Sequence, residues 1–116
     1  MARVAIKRVY EEPSEEDGTR ILVDRLWPRG LTKEKARVDL WLKEIAPSTE
    51  LRKWFSHDPA RWDEFQRRYR DELKTHGGQF ALLKQEAARG PVTLLFGARD
   101  VEHNEAVILK KVLQRK

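Results

Sequence analysis

A chain of 116 residues has the length of one globular domain and can bury a core without disulfide or metal staples. It contains no cysteine, which excludes disulfides, thiolate nucleophiles, zinc fingers and iron–sulfur clusters and fits a reducing compartment. Its 24 Lys and Arg against 19 Asp and Glu give a net charge of +5, but the two signs are interspersed, as on a solvated mixed surface rather than a face built for nucleic acid.

In chain order, residues 3–10 read as a strand, with Val4, Ile6 and Tyr10 on one side and Arg8 interrupting. The acidic stretch 11–19, with Pro13 and Gly18, reads as a surface loop. From Arg20 to Leu26 an Ile-Leu-Val run precedes Asp24, a pattern of a strand covered on both faces, and Pro28 and Gly30 end it. Thr32 is placed to cap a helical turn over residues 33–36. Val38, Leu40 and Leu42 alternate with Asp39, Trp41 and Lys43, which predicts a third strand over 38–45, closed by Pro47. Ser48 is a good N-cap for a short helix carrying Leu51, Trp54 and Phe55, and Glu50 suits its N-terminus.

Asp58-Pro59 marks the next helix start. Trp62, Phe65, Tyr69 and Leu73 then share one face, while Asp63/Arg67, Glu64/Arg68 and Arg68/Glu72 pair at i,i+4 on the other. Gly77-Gly78 is expected to stop this helix. Phe80, Leu83 and Ala87 mark another, ended by Gly90-Pro91. Val92 to Phe96 is the most strand-like segment of the chain, and a final helix is expected from Asp100 to Leu113 with Val101, Ile108 and Val112 inward.

This order predicts a single α/β domain over 1–116: three layers, a largely parallel sheet and helices on both faces. The second and fourth strands, the most apolar, should be neighbours near its centre. No apolar stretch approaches the ~20 residues that span a bilayer. Met1-Ala2-Arg3-Val4 lacks the apolar core of a signal peptide, so a cytoplasmic location is expected, with no membrane partner.

In parallel sheets, ligands sit outside the carboxyl ends of the strands. Two polar turns follow the two most apolar runs. One is Asp24-Arg25-Leu26-Trp27-Pro28-Arg29-Gly30; the other is Gly97-Ala98-Arg99-Asp100, continued by His103-Asn104-Glu105-Ala106. Together with Ile45-Ala46-Pro47-Ser48 and Trp54-Phe55-Ser56-His57-Asp58, they give a chain that resembles the YeaO-like branch of the Domain of Unknown Function 488 family over nearly its whole length. The resemblance implies a small α/β domain, bacterial or archaeal and cytoplasmic, and no established activity. Other branches look to carry cysteines near the positions of Phe96 and Asn104; this chain has none, so thiol or metal chemistry does not carry over. A uroporphyrin methyltransferase label borne by some members does not fit a short chain without a glycine-rich strand-to-helix loop.

Two readings stand for Asp24. It forms a structural ion pair with Arg20, Arg25 or Arg29, or it orients an Arg whose planar fork binds a carboxylate or phosphate. Trp27 reads as a packing anchor. Asp100 reads as an N-cap, with His103 and Asn104 in the first turn, where free N–H groups favour an anion and the dipole favours a neutral imidazole; a plain helix cap explains the same residues. His57 and Ser48 have bland readings, a loop residue and a cap. No Ser-His-Asp motif, phosphate loop or metal-spaced His pair is present, so no cofactor or metal is implied.

The expectation is therefore a pocket for a small anion, phosphorylated or nucleotide-like. Arg25, Arg29, Arg99, Asp100 and Asn104 would bind it, and His103 and Asp24 are the candidate acid–base groups. Whether a reaction follows, and the oligomeric state, are left open. The alternative is a nucleic-acid-binding module on the basic helix surface around Arg61, Arg67, Arg68 and Arg70.

Overall fold

The structure, a computed structural model, describes residues 3–114. Met1 and Ala2, from the stretch read for a leader, and Arg115 and Lys116, within the domain assigned to 1–116, lie outside the described residues. Four strands, β1 (Val4–Arg8), β2 (Thr19–Leu22), β3 (Leu40–Trp41) and β4 (Val92–Phe96), form one sheet in the order β1-β4-β2-β3. All three pairings are parallel, with Ile6 and Ile21 flanking Leu94 and Leu40 opposite Ile21. The two most apolar strands are thus adjacent and central. Every residue of β4 is buried, as a strand covered on both faces requires.

Among the described residues five α-helices accompany the strands, four of them between strands and the last after β4: α1 (Lys33–Ala36), α2 (Thr49–Phe55), α3 (Trp62–Thr75), α4 (Gly77–Arg89) and α5 (Glu105–Gln114). The cover of the sheet is unequal. Val92, Leu94 and Phe96, with Ile21, Val23 and Val4, form the larger core with Phe65 and Tyr69 of α3, Leu83 of α4 and Ile108 and Leu109 of α5. Each such side chain removed from water contributes about 1.5–3 kcal/mol. The opposite face carries a smaller cluster of Val9, Leu22 and Leu95 under Ala36 of α1 and the Trp27 and Trp41 rings. Trp27 is the packing anchor expected: it meets Trp41 edge-on at 5.5 Å, and its Nε1 donates to the Leu31 carbonyl at 2.7 Å.

Local signals were read by the chain as expected at Thr32, Ser48 and Asp58, whose side chains accept the backbone N–H of Lys35, Leu51 and Ala60. Four expectations are corrected. The third strand shrinks from 38–45 to Leu40–Trp41, because β2 itself ends at Leu22 and Leu42 turns the chain into a short 3-10 helix over Lys43–Ile45. Gly77-Gly78 does not stop α3; the break is at His76, outside helical geometry, and the glycines begin α4. The last helix begins at Glu105 rather than Asp100. Asp100 instead folds its carboxylate back onto the N–H groups of Glu102 and His103, and Asn104 takes the capping position with its Oδ1 accepting from Val107 N at 3.2 Å. Val101, expected inward, is therefore exposed in the loop before the helix.

On the smaller face, a charge cluster ties β1, β2 and β4 together. The buried Asp17 carboxylate accepts from Lys7 Nζ at 3.1 Å and Arg20 at 2.5 Å, and also from Ser14 N at 2.9 Å. Arg20, equally buried, donates onward to the carbonyls of Ala36 and Arg37, and Thr93 donates to the Asp17 carbonyl. Burial pulls the Asp17 carboxyl upward, but the Ser14 N–H, Lys7 and Arg20 outweigh it and hold it below its ordinary range. The chain then passes through Gly18 at φ +66°, where a Cβ would stand 2.2 Å from the Pro91 carbonyl oxygen. Only glycine fits there.

Candidate functional site

Where β2 and β4 end, the chain turns sharply and exposes polar groups. The Gly97 N–H, just past β4, donates to Asp24 Oδ2 at 2.7 Å, and the Asp24 carbonyl accepts from Trp41 Nε1 at 2.7 Å. Asp24 is thus fixed by backbone and ring contacts. A Cβ on residue 97 would come within 3.0 Å of the same carboxylate oxygen, so glycine permits this approach. The expected ion pair of Asp24 with Arg20, Arg25 or Arg29 is not found among the described residues: Arg20 is held by Asp17, and Arg25 donates to the Ala46 carbonyl.

Opposite Asp24 stands Glu105, the first residue of α5, within hydrogen-bonding reach of it. Burial first, then the hydrogen bond and the charge of Asp24, push the Glu105 carboxyl well above its ordinary value, and Arg52 opposes this only in part. The protonated form of Glu105 is thereby favoured, and it is the donor side of its contact with Asp24.

Both residues line a cavity of about 510 Å3 at the carboxyl ends of the strands. Arg25 lines it from the turn after β2. One of its amino groups donates to the Ala46 carbonyl at 3.2 Å, while its buried Nε finds no partner among the described residues. Arg52 and Lys53 stand exposed at the mouth, from the last turns of α2. The helix is anchored from α3: Glu72 accepts from Ser48 N at 2.8 Å and Ser48 Oγ at 2.6 Å, and the Tyr69 hydroxyl donates to the Ile45 carbonyl at 2.6 Å. Ser56 and His57 end the helix in consecutive left-handed conformations (φ 46° and 54°) and form part of the rim. Such geometry in non-glycine residues costs about 1–2 kcal/mol each and is found at binding sites.

From the other side come His103 and the buried Asn104. His103 Nδ1 lies 2.9 Å from Asp100 Oδ2, and its ring meets Trp62 edge-on at 5.1 Å. The Glu102 N–H, then His103, hold the Asp100 carboxyl below its ordinary range. With Nδ1 turned to Asp100, Nε2 is the nitrogen left for a ligand. Asn104 is committed at both ends of its amide, to the Asp100 carbonyl and Val107 N–H.

The structure thus brings Asp24, Arg25, His103 and Asn104 to one cavity, with Asp100 behind His103. Arg29 and Arg99 have exposed side chains and are not among the lining residues. Sequence reasoning missed Glu105, Arg52 and Lys53 and gave His57 no task. The signals were weak: a Glu opening a helix is explained by the dipole, and basic residues on a short amphipathic helix read as solvated.

The basic helix surface is largely engaged within the chain. Arg61 lies 3.7 Å from Asp58 and stacks on Trp54. Arg68 bonds Glu64 at 2.8 Å and covers the other approach to Trp54, and Arg67 also pairs with Glu64. Arg67 and Arg70 border a second depression, shared with Asp63 and Asp71, so its charge is mixed. Among the described residues, no group of three or more His, Asp or Glu is arranged to hold a metal ion, and no helix is long and apolar enough to cross a membrane.

A family model described as the inactive DUF488-N3 subclade matches residues 3–116. Uncharacterized protein YeaO of Escherichia coli is 43% identical over 106 residues, covering 91% of this chain and 92% of that protein. Uncharacterized protein Rv3073c of Mycobacterium tuberculosis is 43% identical over 111 residues, covering 96% and 93%. No solved structure matches the chain.

Proposed function

We propose, from the premise that the chain belongs to the DUF488 family and to its inactive DUF488-N3 subclade, that it binds a small anionic ligand, phosphorylated or nucleotide-like, at the carboxyl ends of its strands. The observation that carries this reading is the cavity of about 510 Å3 with Arg25 in its wall and Arg52 and Lys53 at its mouth. Its size falls within the roughly 300–1,000 Å3 of small-molecule sites, and its position follows the rule for parallel sheets. Guanidinium groups bind carboxylate and phosphate in a planar, two-pronged way. His57 and His103 add two imidazoles to the lining.

The description "inactive" supports binding without turnover. His103, oriented by Asp100, and Asp24 then serve as hydrogen-bonding groups rather than an acid–base pair. A cytoplasmic setting, where phosphorylated metabolites are abundant, goes with this reading. The nucleic-acid alternative draws less support, because Arg61, Arg67 and Arg68 already face Asp58, Glu64 and Trp54.

The test is a thermal-shift titration with inorganic phosphate, pyrophosphate and nucleoside monophosphates. A ligand at ten times its dissociation constant stabilises the fold by about 1.4 kcal/mol, a rise of roughly 4–8 °C in a domain of this size. Arg25→Ala and Arg52→Ala should remove the rise. No stabilisation by any of these anions at millimolar concentration overturns the reading. A response only to nucleic acid, falling steeply with salt and lost on reversing Arg67 and Arg68, would favour the alternative.

A further inference from the structure

The cavity is not uniformly cationic. Arg52, Lys53 and His57 are its exposed lining residues, while Asp24, Glu105 and Arg25 are its half-buried, inner ones, with Arg52 close enough to act on Glu105. A ligand that was anionic throughout would bring negative charge against Asp24, in a site where water screens poorly. A second anion at that end is therefore unfavourable, whatever the mouth contributes.

The inner end is built to meet a donor. Asp24 is held at the cavity by the Gly97 N–H on its carboxylate and by the Trp41 contact to its carbonyl. Glu105 comes from a different element, the start of α5, and meets it across the space between the two central strands' ends. Two carboxyl groups brought together in one cavity are both favoured as carboxylates when a cation bridges them.

We propose that the ligand is bipolar: a phosphate or carboxylate held by Arg52, Lys53 and Arg25, and a protonated amine seated between Asp24 and Glu105. This rests on the anion-site reading above and specifies the other end of its ligand. On binding, the ammonium keeps its own protons and the Glu105 carboxyl releases its proton to solvent. Two carboxylates then surround one ammonium, and binding liberates one proton. The ionisable groups facing this event are Asp24 and Arg25 from the turn after β2, Arg52, Lys53 and His57 from α2 and its end, Tyr69 from α3, and His103 and Glu105 from the α5 side. Of these, Glu105 is the group whose proton the amine displaces.

The experiment is calorimetric titration of the full chain near neutral pH with O-phosphoethanolamine and, in parallel, ethyl phosphate, which lacks the amine. Each titration is run in two buffers of different ionisation enthalpy to count protons. The amine-bearing probe should bind at least about tenfold more tightly, equivalent to about 1.4 kcal/mol, with a net release of protons that ethyl phosphate does not show. Glu105→Gln should abolish the proton release and bring the two probes within about twofold of each other. Asp24→Asn, whose folding is checked by its melting curve, provides an independent second variant with the same loss of preference. Equal affinity for the two probes in the native chain, or binding without proton release, overturns the bipolar ligand and leaves the anion site standing. Failure of both probes to bind at millimolar concentration overturns both readings.

Discussion

Two carboxylates lie under the central strands of this domain, and they have opposite fates. Asp17, on the smaller face, is met by Lys7, Arg20 and a backbone N–H, and every group around it is hydrogen-bonded. Asp24, at the strand ends, is met by one backbone N–H and by a second carboxyl group, with a cavity beyond. A charge enclosed with complete partners makes structure. A carboxylate set against a second carboxyl group beside a cavity favours the uncharged form of one of them, an arrangement common at functional sites. The comparison separates scaffold from site within one small protein.

The largest expected effect is at the satisfied cluster. Asp17→Ala leaves the buried Arg20 guanidinium without its anion and should destabilise the fold by about 3–5 kcal/mol in urea unfolding. Next is Gly18→Ala, where a Cβ would strike the Pro91 carbonyl at a left-handed φ. A loss of about 2–3 kcal/mol is expected by the same measurement.

At the cavity the expected sign reverses. The raised Glu105 value means that the folded chain holds a proton the unfolded chain has lost above about pH 4.5. Stability from this group is full below that pH and falls as pH rises through the raised value. Glu105→Gln should therefore melt higher than the native chain, by more at pH 8 than at pH 5. Asp17 behaves oppositely: its contribution is present above its ordinary value of 3.8 and is lost as pH falls through the lowered one. Melting curves from pH 3 to 9 on Asp17→Asn and Glu105→Gln would break the comparison if both variants changed stability with the same pH trend. Gly97→Ala should crowd Asp24 and cost about 1 kcal/mol, while Arg29→Ala and Arg99→Ala, at exposed positions, should stay within about 0.5 kcal/mol.

Much of the scaffold was legible because it rests on local rules. The continuous apolar runs at 21–23 and 92–96 placed β2 and β4 in the middle of the sheet, and Thr32, Ser48 and Asp58 cap where caps were expected. Where a local rule had two outcomes, the chain was misread: Gly77-Gly78 can end a helix or follow a break at His76, and Asp100 can cap a helix or close a turn ahead of it. The site was only half legible. The strand-end rule pointed at Asp24, Arg25, His103 and Asn104. It could not point at Arg52 and Lys53, because nothing in an amphipathic pattern distinguishes water from a cavity mouth. Glu105 stayed hidden because a helix start already explains an acid there; only its position opposite Asp24 in the cavity lining sets it apart.

The most direct test of the account is an NMR titration of the amide resonances with inorganic phosphate. Saturable shifts are predicted at Arg25, Arg52, Lys53, Ser56 and His57, around the cavity, with Gly18 and Arg20 unmoved. Absence of saturable shifts at the cavity, or shifts confined to α3 around Arg67 and Arg68, would contradict it.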